Sequence, residues 1–303
     1  MFSQACKDRR NDMKSLVEKA NILIEALPYI RNFYGKTFVI KYGGAAQIDE
    51  ALKMSFAQDV VLFNFIGIRT VIVHGGGPKI SETMKKMGKE PKFVQGQRVT
   101  DKETMEIVEM VLGGLINQEI VSLINNHGGR AVGLSGKDGG LIMADKKVLC
   151  KSSAKDEELI DIGLVGEVRQ INPDILNSLD KDGFIPVISP IGVSSEGDAL
   201  NINADYAASA IASAVKAEKL LLLTDVQGIK DGSGKVLSTL GKAQIDALIA
   251  DGVIGGGMLP KVQACMRAVA GGVGKTHIVD GRVAHSLLLE IFTKEGIGTE
   301  IVA

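Results

Sequence analysis

The stretch TVIVHGGGPK (residues 70–79) decides the fold, because an apolar run passes directly into three glycines and a proline. The apolar run predicts a buried strand, and Pro78 is favoured in the first turn of a helix. Glycine lets main-chain N–H groups approach an anion, and a helix start adds positive partial charge. The stretch therefore predicts a strand, an anion-binding loop and a helix in succession.

A second stretch, FVIKYGG (residues 38–44), repeats the apolar run followed by glycines. In open α/β sheets, ligands bind beyond the carboxyl ends of the strands. We therefore expect Gly43, Gly44 and residues 75–77 to cradle a phosphate or carboxylate, with Lys41 beside them. Either loop alone could be a tight turn, but two loops and a lysine favour a binding site.

The rest of the chain alternates apolar strands with amphipathic helices, which predicts an α/β fold. We expect a three-layer αβα sandwich around a largely parallel sheet, made of two lobes that share the sheet. Residues 101–129 read as one long helix or two, and residues 141–170 as short mixed strands. The predicted divisions are an N-terminal helix, an N-lobe and a C-lobe, covering residues 1–34, 35–200 and 201–303.

The N-terminal segment carries an apolar stripe at spacings of three and four, which predicts an amphipathic helix that bends or ends near Pro28. Such a helix lies outside the main fold, so its stripe packs either on its own subunit or on a second copy. The stripe consists of Met13, Leu16, Ala20, Leu23, Leu27 and Ile30.

Composition excludes several classes of protein. The net charge of −1 and the 4% aromatic content, without tryptophan, argue against nucleic-acid or anionic-membrane binding. The three cysteines form no CxxC pair, the histidines have no metal-ligand spacing, and no metal site is expected. The segment GGVGKT (residues 271–276) is not a P-loop, because Val269 stands where the first glycine belongs. A polar N-terminus and the lack of an 18-residue apolar run predict a cytoplasmic protein.

Taken together, the motifs resemble the amino acid kinase family, over nearly the whole chain. The RVT and NINAD segments narrow the resemblance to the members that phosphorylate N-acetyl-L-glutamate in the second step of arginine synthesis. The motifs are VIKYGG (39–44), VIVHGGGPKI (71–80), GQRVTDKETM (96–105), IGVSSEGDALNINAD (191–205), LLLTDVQGI (221–229), GGGMLPKV (255–262) and HSLLLEIFTKEGIGT (285–299).

The resemblance implies transfer of the γ-phosphoryl group of ATP, with Mg²⁺ held mainly by the ATP phosphates. It places Lys41 and Lys261 beside the phosphates and Asp205 between the two lysines. It assigns substrate binding to Gly76, Gly77, Arg98 and Asn201. It assigns ATP binding to Gly43, Gly44, Thr224, Asp225, Gly228, Gly257 and Met258.

Each residue also has a structural interpretation. Lys41 could be a surface lysine at a strand end, and Lys261 a solvated charge on a helix. Arg98 and Asp205 could form structural ion pairs. Asn201 could start a helix, and Asp225 could belong to a turn.

Arginine-inhibited members of the family have a similar N-terminal helix and are hexamers, built as trimers of dimers. The resemblance therefore implies that arginine inhibits this chain and that the chain forms such a hexamer. The residues implied to line the arginine site are Lys219, His285, Glu290, Gly296 and Gly298.

Two rival functions remain at this point. One is another kinase of the family, acting on aspartate, glutamate, carbamate or a nucleoside monophosphate. The other is a non-enzymatic arginine sensor, although a sensor has no use for two lysines held by an aspartate.

Overall fold

The backbone of residues 2–152 and 157–303, and the side chains of residues 16–150 and 159–303, are described by a computed structural model. The side chain of Met13 lies outside these residues. The helices are α1 (Phe2–Phe33), α2 (Glu50–Phe65), α3 (Gly77–Lys86), α4 (Lys102–Glu109), α5 (Asn117–Asn126), α6 (Asp174–Lys181), α7 (Ala204–Ala214), α8 (Lys242–Ala250), α9 (Met258–Ala270) and α10 (Ser286–Phe292).

A central sheet of eight strands runs through the molecule in the order β12-β14-β13-β11-β1-β2-β8-β5. Its pairs are parallel except that β14 runs antiparallel to β13. The strands of the chain are β1 (Thr37–Tyr42), β2 (Arg69–His74), β3 (Phe93–Val94), β4 (Gln97–Arg98), β5 (Ala131–Ser135), β6 (Ile142–Ser152), β7 (Glu157–Ile171), β8 (Ile185–Ser189), β9 (Ile191–Val193), β10 (Ala199–Ile202), β11 (Lys219–Thr224), β12 (Thr239–Leu240), β13 (Lys275–Asp280) and β14 (Thr299–Ile301).

Helices cover both faces of this sheet, so the predicted α/β sandwich with a largely parallel sheet is confirmed. Alternate residues of β1 enter different cores, since successive side chains of a strand point to opposite faces. Phe38, Ile40 and Tyr42 pack with α2 and α5, whereas Val39 packs with α7 and α9. Lys41 has the parity of Val39 and therefore faces α7 and α9.

The segment predicted as short mixed strands is instead two long strands, β6 and β7, paired antiparallel. They close a small barrel with β9 and β10 in the order β10-β7-β6-β9. Two register shifts, at Met143/Ala144 and Lys146/Val148, interrupt the hairpin. Such irregularities bend a strand and break its side-chain alternation, which is why the sequence pattern looked fragmented.

Residues 101–129 were predicted to form one long helix or two. The structure has one continuous helical run there, Lys102–Asn126. A π-helical segment, Met110–Ile116, separates α4 from α5 within it. By length and composition this run could cross a membrane, and it is the one such helix found among the described residues. Core helices pass the same test, and here Val108, Val111 and Ile124 are fully buried.

Helix α1 was predicted to bend or to end near Pro28; it continues through the proline to Phe33, so the second alternative is wrong. Proline deletes the N–H that would bond to the carbonyl of Ile24, and Ile24 is exposed, so water can satisfy that carbonyl. The predicted stripe is largely bare in this subunit, with Leu16 57% and Leu23 72% exposed. Among the described side chains of the helix, from Leu16 onward, the end of the helix packs on the fold, where Tyr29 meets Phe292 edge to face.

Candidate active site

Strands β1, β2 and β11 end side by side, because β1 pairs in parallel with both neighbours. Their carboxyl ends bring together Gly43–Gly44, residues 75–77 and Thr224 at one edge of the sheet. Helix α3 starts at Gly77, with Gly76 as its N-cap. The two glycine loops therefore lie together at the carboxyl edge of the sheet, as predicted.

Asp205 joins two lysines at this edge. Its Oδ1 lies 3.1 Å from Lys41 Nζ, and its Oδ2 accepts a 3.0 Å hydrogen bond from Lys261 Nζ. The Lys41 contact is an ion pair whose angles fall outside those of a hydrogen bond. Burial alone would raise the pKa of Asp205, but the two lysines outweigh it and hold that pKa below its usual range. Asp205 is therefore ionised.

Local structure explains how these three groups meet. Lys41 faces the α7 layer, and Asn203 caps α7 by accepting from the main-chain N–H groups of Asp205 and Tyr206. Asp205 therefore sits in the first turn of α7, and Lys261 lies in the first turn of α9. The side chain of Asp205 is 7% exposed, so the charges meet in a largely dry place.

A cavity of about 590 Å³ opens at the same edge. Two further lysines on its wall are already neutralised, Lys53 by Glu50 and Glu119 and Lys79 by Glu82. Because Lys41, Asp205 and Lys261 together carry one net positive charge, the cavity attracts an anion at that point. The residues 43–44, 75–77, 115–116, 120, 123 and 203–204 complete much of its lining.

Asp225 closes the first glycine loop. Its Oδ1 accepts from the main-chain N–H of Ala45. Gly44 has φ +72°, and a Cβ there would collide with the Asp225 carboxylate. Only glycine fits this close approach. Asp225 thus holds a loop of the predicted site, a role beyond a simple turn residue.

Arg98 and Asn201 do not line the cavity. The Arg98 guanidinium donates 2.9 Å and 2.8 Å hydrogen bonds to Gly77 O and Ser81 Oγ and stacks on Phe93, so it braces the start of α3. Asn201 lies in β10 and donates to Thr100 Oγ1, so it does not start a helix; Asn203 does. Arg98 therefore lies behind the second glycine loop, whereas Asn201 lies on the barrel strand β10.

His74 is a fully buried residue directly before the second glycine loop. Its Nδ1 lies 3.0 Å from Gly75 O, and its Nε2 lies 3.2 Å from Asn117 Nδ2. A carbonyl can only accept, so Nδ1 carries the proton and Nε2 accepts from the amide. Burial lowers the pKa of His74 to about 4, so the imidazole is neutral at physiological pH.

The remaining residues predicted for ATP do not belong to the lining of the cavity. Thr224 ends β11, and its carbonyl accepts from Gly281 N–H. Gly257 and Met258 start α9, one turn before Lys261. Gly228 lies against Thr299, with φ +144°, where a Cβ would meet Thr299 Oγ1 at 2.6 Å. Gly228 therefore shapes the fold beyond the site.

A second cluster lies on the opposite face of the sheet. Lys219 Nζ donates to His277 Nε2 at 2.9 Å, and His277 Nδ1 donates to Glu290 Oε1 at 2.6 Å. Glu290 Oε2 accepts from the N–H groups of Ile297 and Gly298. Burial lowers the pKa of Lys219 and of His277.

Four of the five residues predicted for an arginine site meet in this cluster, and His285 does not. A Cβ on Gly296 would lie 2.8 Å from Glu290 Oε2, so that glycine lies against the carboxylate. His285 Nδ1 instead pairs with Asp59 Oδ1 at 2.6 Å. Lys219 lies 5.5 Å from the ring of Phe33, the last residue of α1, so the N-terminal helix borders the cluster.

Sequence reasoning missed His277, Asn117 and Gln47. His277 was visible as a polar residue inside the strand KTHIVD, two positions before Val279 on the same face. Asn117 was visible as an amide following the apolar run MVLGGLI. Gln47, whose side-chain amide donates to Tyr42 O and Gly75 O, gave no signal, because these contacts join segments that are distant in sequence.

The comparisons with known proteins agree with this geometry. The model of the amino acid kinase family matches residues 36–280. The acetylglutamate kinase of Syntrophus aciditrophicus (strain SB) is 58% identical over 294 residues, covering 96% of this chain and 99% of that protein. The acetylglutamate kinase of Geotalea uraniireducens (strain Rf4) is 59% identical over 293 residues, covering 96% and 100%.

A solved structure with a similar fold is the N-acetylglutamate synthase from Neisseria gonorrhoeae. In complex with coenzyme A and N-acetyl-glutamate it has a TM-score of 0.81 and 26% identity, covering 94% of this chain. In complex with coenzyme A and L-arginine the TM-score is 0.78 and the identity 25%. The match spans 63% of the synthase chain in the first complex and 65% in the second.

Proposed function

This chain belongs to the amino acid kinase family, and on that premise we propose that it transfers the γ-phosphoryl group of ATP to N-acetyl-L-glutamate. The product is N-acetyl-L-glutamyl 5-phosphate, formed in the second step of arginine biosynthesis. The observation that carries the proposal is the Lys41–Asp205–Lys261 cluster, in a chain 58% identical to an acetylglutamate kinase over nearly its whole length.

The chemistry needs positive charge more than a base. The glutamate side chain has a pKa of about 4.3, so its carboxylate is already the nucleophile at neutral pH. A carboxylate oxygen forms a bond to the γ-phosphorus, the bond from that phosphorus to the bridging oxygen breaks, and ADP leaves without a proton being moved. Lys41 and Lys261 offset the repulsion between the two anions and the charge on the transferred group.

The cavity supplies the remaining contacts. N–H groups of Gly44, Gly76 and Gly77 would bind the transferring phosphoryl group and the acceptor carboxylate. Arg98 supports the substrate side from behind the second loop, and its bidentate grip on the substrate α-carboxylate would need its bond to Gly77 O to open. Asn201, on β10, would also bind the substrate. In this proposal the N-lobe (35–200) binds substrate and the C-lobe (201–303) binds ATP.

ATP would lie over Thr224, Asp225 and the start of α9. Lysines and main-chain N–H groups are donors that suit phosphate oxygens, so Mg²⁺ would be held mainly by the ATP phosphates, as it usually is. When bound, Mg²⁺ neutralises charge on those phosphates. A cytoplasmic location stays a prediction.

A substrate panel tests the proposal. We expect ADP release from MgATP with N-acetylglutamate, and release at least about 100-fold slower with glutamate, aspartate, carbamate or a nucleoside monophosphate, because a site built for one substrate leaves polar groups unpaired with another. The measurement is kcat/KM for each acceptor. Turnover confined to another acceptor would assign that kinase, and saturable arginine binding without turnover would assign the sensor.

We also propose feedback inhibition by arginine, bound at Lys219, His277 and Glu290 beside the end of α1. The Glu290 carboxylate suits a guanidinium. Burial alone would raise the pKa of Glu290, but His277 and two N–H groups outweigh it and hold the pKa down, so its charge is available. A synthase of similar fold has been solved with L-arginine, which supports this proposal.

Removal of residues 1–28 should leave a dimer that responds weakly to arginine. The deletion removes the exposed stripe residues Leu16, Leu23 and Leu27, which we propose join three dimers into a hexamer, and spares the contacts of Tyr29 and Phe33 with the fold. Light scattering and an arginine titration of the kinase reaction measure both effects. The matched variant Leu23→Glu places a charge on the stripe and should also give dimers; a hexamer in either case contradicts the proposal.

A further inference from the structure

Gly75 is the first residue of the second glycine loop, and its carbonyl receives two side-chain hydrogen bonds. His74 Nδ1 lies 3.0 Å from it, and Gln47 Nε2 donates to it at 3.3 Å. Gln47 Nε2 also donates to Tyr42 O at 3.2 Å, so this amide ties the end of β1 to the end of β2. The Gly75 peptide is therefore fixed by the last residue of β2 and by an amide that follows the first glycine loop.

A buried partner fixes His74 in turn. Asn117 is 1% exposed and donates from Nδ2 to His74 Nε2 at 3.2 Å and to Val187 O at 2.8 Å. The second bond anchors the amide to strand β8, so the imidazole cannot rotate without losing a buried hydrogen bond. The neutral tautomer satisfies every one of these donors and acceptors.

The peptide geometry links this network to the cavity. A trans peptide is planar, so the Gly75 carbonyl and the Gly76 N–H point in opposite directions. Among the residues that the structure describes, the Gly76 N–H donates to no protein acceptor. Gly76 lines the cavity, and a Cβ on it would lie 2.5 Å from Ile116 and from Leu112 of the π-helical segment. In the Gly75–Gly76 peptide, the Gly75 carbonyl is thus hydrogen-bonded and the Gly76 N–H is a free donor. The Cα of Gly76 packs against the π-helical segment.

We propose that His74 and Gln47 are positioning residues, which hold the Gly75 carbonyl so that the Gly76 N–H is aimed at the anion in the cavity. The identity of that anion rests on the proposed function. The orientation of the Gly75–Gly76 peptide is independent of it. A donor fixed before the reaction stabilises charge on the transferred group without reorganising, which raises kcat more than it lowers KM.

A matched pair of substitutions tests the role of His74. In His74→Asn the amide nitrogen stands near the place of Nδ1 and can still donate to Gly75 O. In His74→Gln the amide oxygen stands near the place of Nε2 and can accept from Asn117 Nδ2, but no donor is then left to reach Gly75 O. We expect His74→Gln to lower kcat about 30-fold, below the roughly 100-fold cost of deleting such a donor, because Gln47 still holds the carbonyl. His74→Asn should stay within about threefold of wild type.

The readouts are kcat and KM for N-acetylglutamate, the Tm of each variant, and crystal structures of both. We expect equal Tm values and a Gly75–Gly76 peptide that tilts away from its wild-type orientation in His74→Gln, while still bonded to Gln47, but not in His74→Asn. His127→Asn is the control and should match wild type, because the His127 ring lies at the end of α5, where its Nδ1 bonds to Leu123 O. Equal kcat in the two His74 variants, or an unmoved peptide in both, overturns the inference.

The same experiment separates the inference from the proposed function. If wild type fails to phosphorylate N-acetylglutamate, the proposed function fails, and the peptide orientation in the two crystal structures still decides the positioning role. If the peptide turns in His74→Gln while kcat is unchanged, the function stands and the catalytic use of the Gly76 N–H is overturned.

Discussion

Lys41→Met should lower kcat about 1,000-fold, the upper end of what loss of one preorganised charge or donor costs an enzyme. Methionine has nearly the length of lysine and no charge, so the cavity keeps its shape while the transferred group loses a cation. Lys261 remains paired with Asp205, so no buried charge is orphaned and the fold should persist. Steady-state kinetics, with Tm as the check on folding, measure the effect.

The matched control for this change is Lys36→Met. Lys36 precedes β1, pairs with Glu218 and is half exposed, so the same substitution removes only a solvated ion pair. Its kcat should stay within about twofold of wild type, since surface ion pairs contribute little. A Lys41→Met enzyme that keeps more than a tenth of wild-type kcat contradicts the catalytic role of Lys41.

The parts of the fold that the sequence predicted well are those set by neighbours along the chain. Strand β1 is an apolar run that ends in glycine, and its burial on both sides of a parallel sheet needs no distant information. The β6–β7 hairpin was misjudged because closure of the barrel with β9 and β10 is a long-range property. Its register shifts hide the period of two on which such a prediction depends.

The candidate site divides in the same way. The two glycine loops followed from pattern and chemistry, whereas the pairing of Lys41 with Asp205 came from family resemblance alone. No local signal joins a strand residue to a helix residue so far along the chain. His277 and His285 show the limit: both lie near Glu290 in sequence, but the ring of His277 bonds to Glu290 whereas that of His285 pairs with Asp59.

Asp205→Asn should lower kcat about 100-fold or more while ATP binding stays as tight or tightens. Asparagine has the same shape, but Lys41 and Lys261 then face each other without a counter-charge, and their repulsion moves both from their places. Two unneutralised cations still attract the ATP phosphates, so the enzyme binds ATP well. It stabilises the transition state of phosphoryl transfer badly, because the lysines are displaced. The measurements are kcat, KM for ATP and the Kd of a non-hydrolysable ATP analogue.

Asp59→Asn is the matched control, because Asp59 is a buried carboxylate away from the cavity. Burial raises the pKa of Asp59 to about 6 despite its bond to His285, whereas the lysines hold the pKa of Asp205 down. The fold therefore favours the charge of Asp205 and disfavours that of Asp59. Stability from ionised Asp205 is present above its usual pKa of 3.8 and is lost as the pH falls through the lower folded value.

The Asp205→Asn enzyme should accordingly lack that acid-side loss of stability, and the Asp59→Asn enzyme should keep it, along with near wild-type kcat. Unfolding by urea across pH 3 to 7 measures the difference, since the slope of stability with pH reports protons taken up on unfolding. If Asp205→Asn weakens ATP binding as much as it lowers kcat, Asp205 contributes to binding rather than to the placement of the two lysines. That result would contradict the role argued for it.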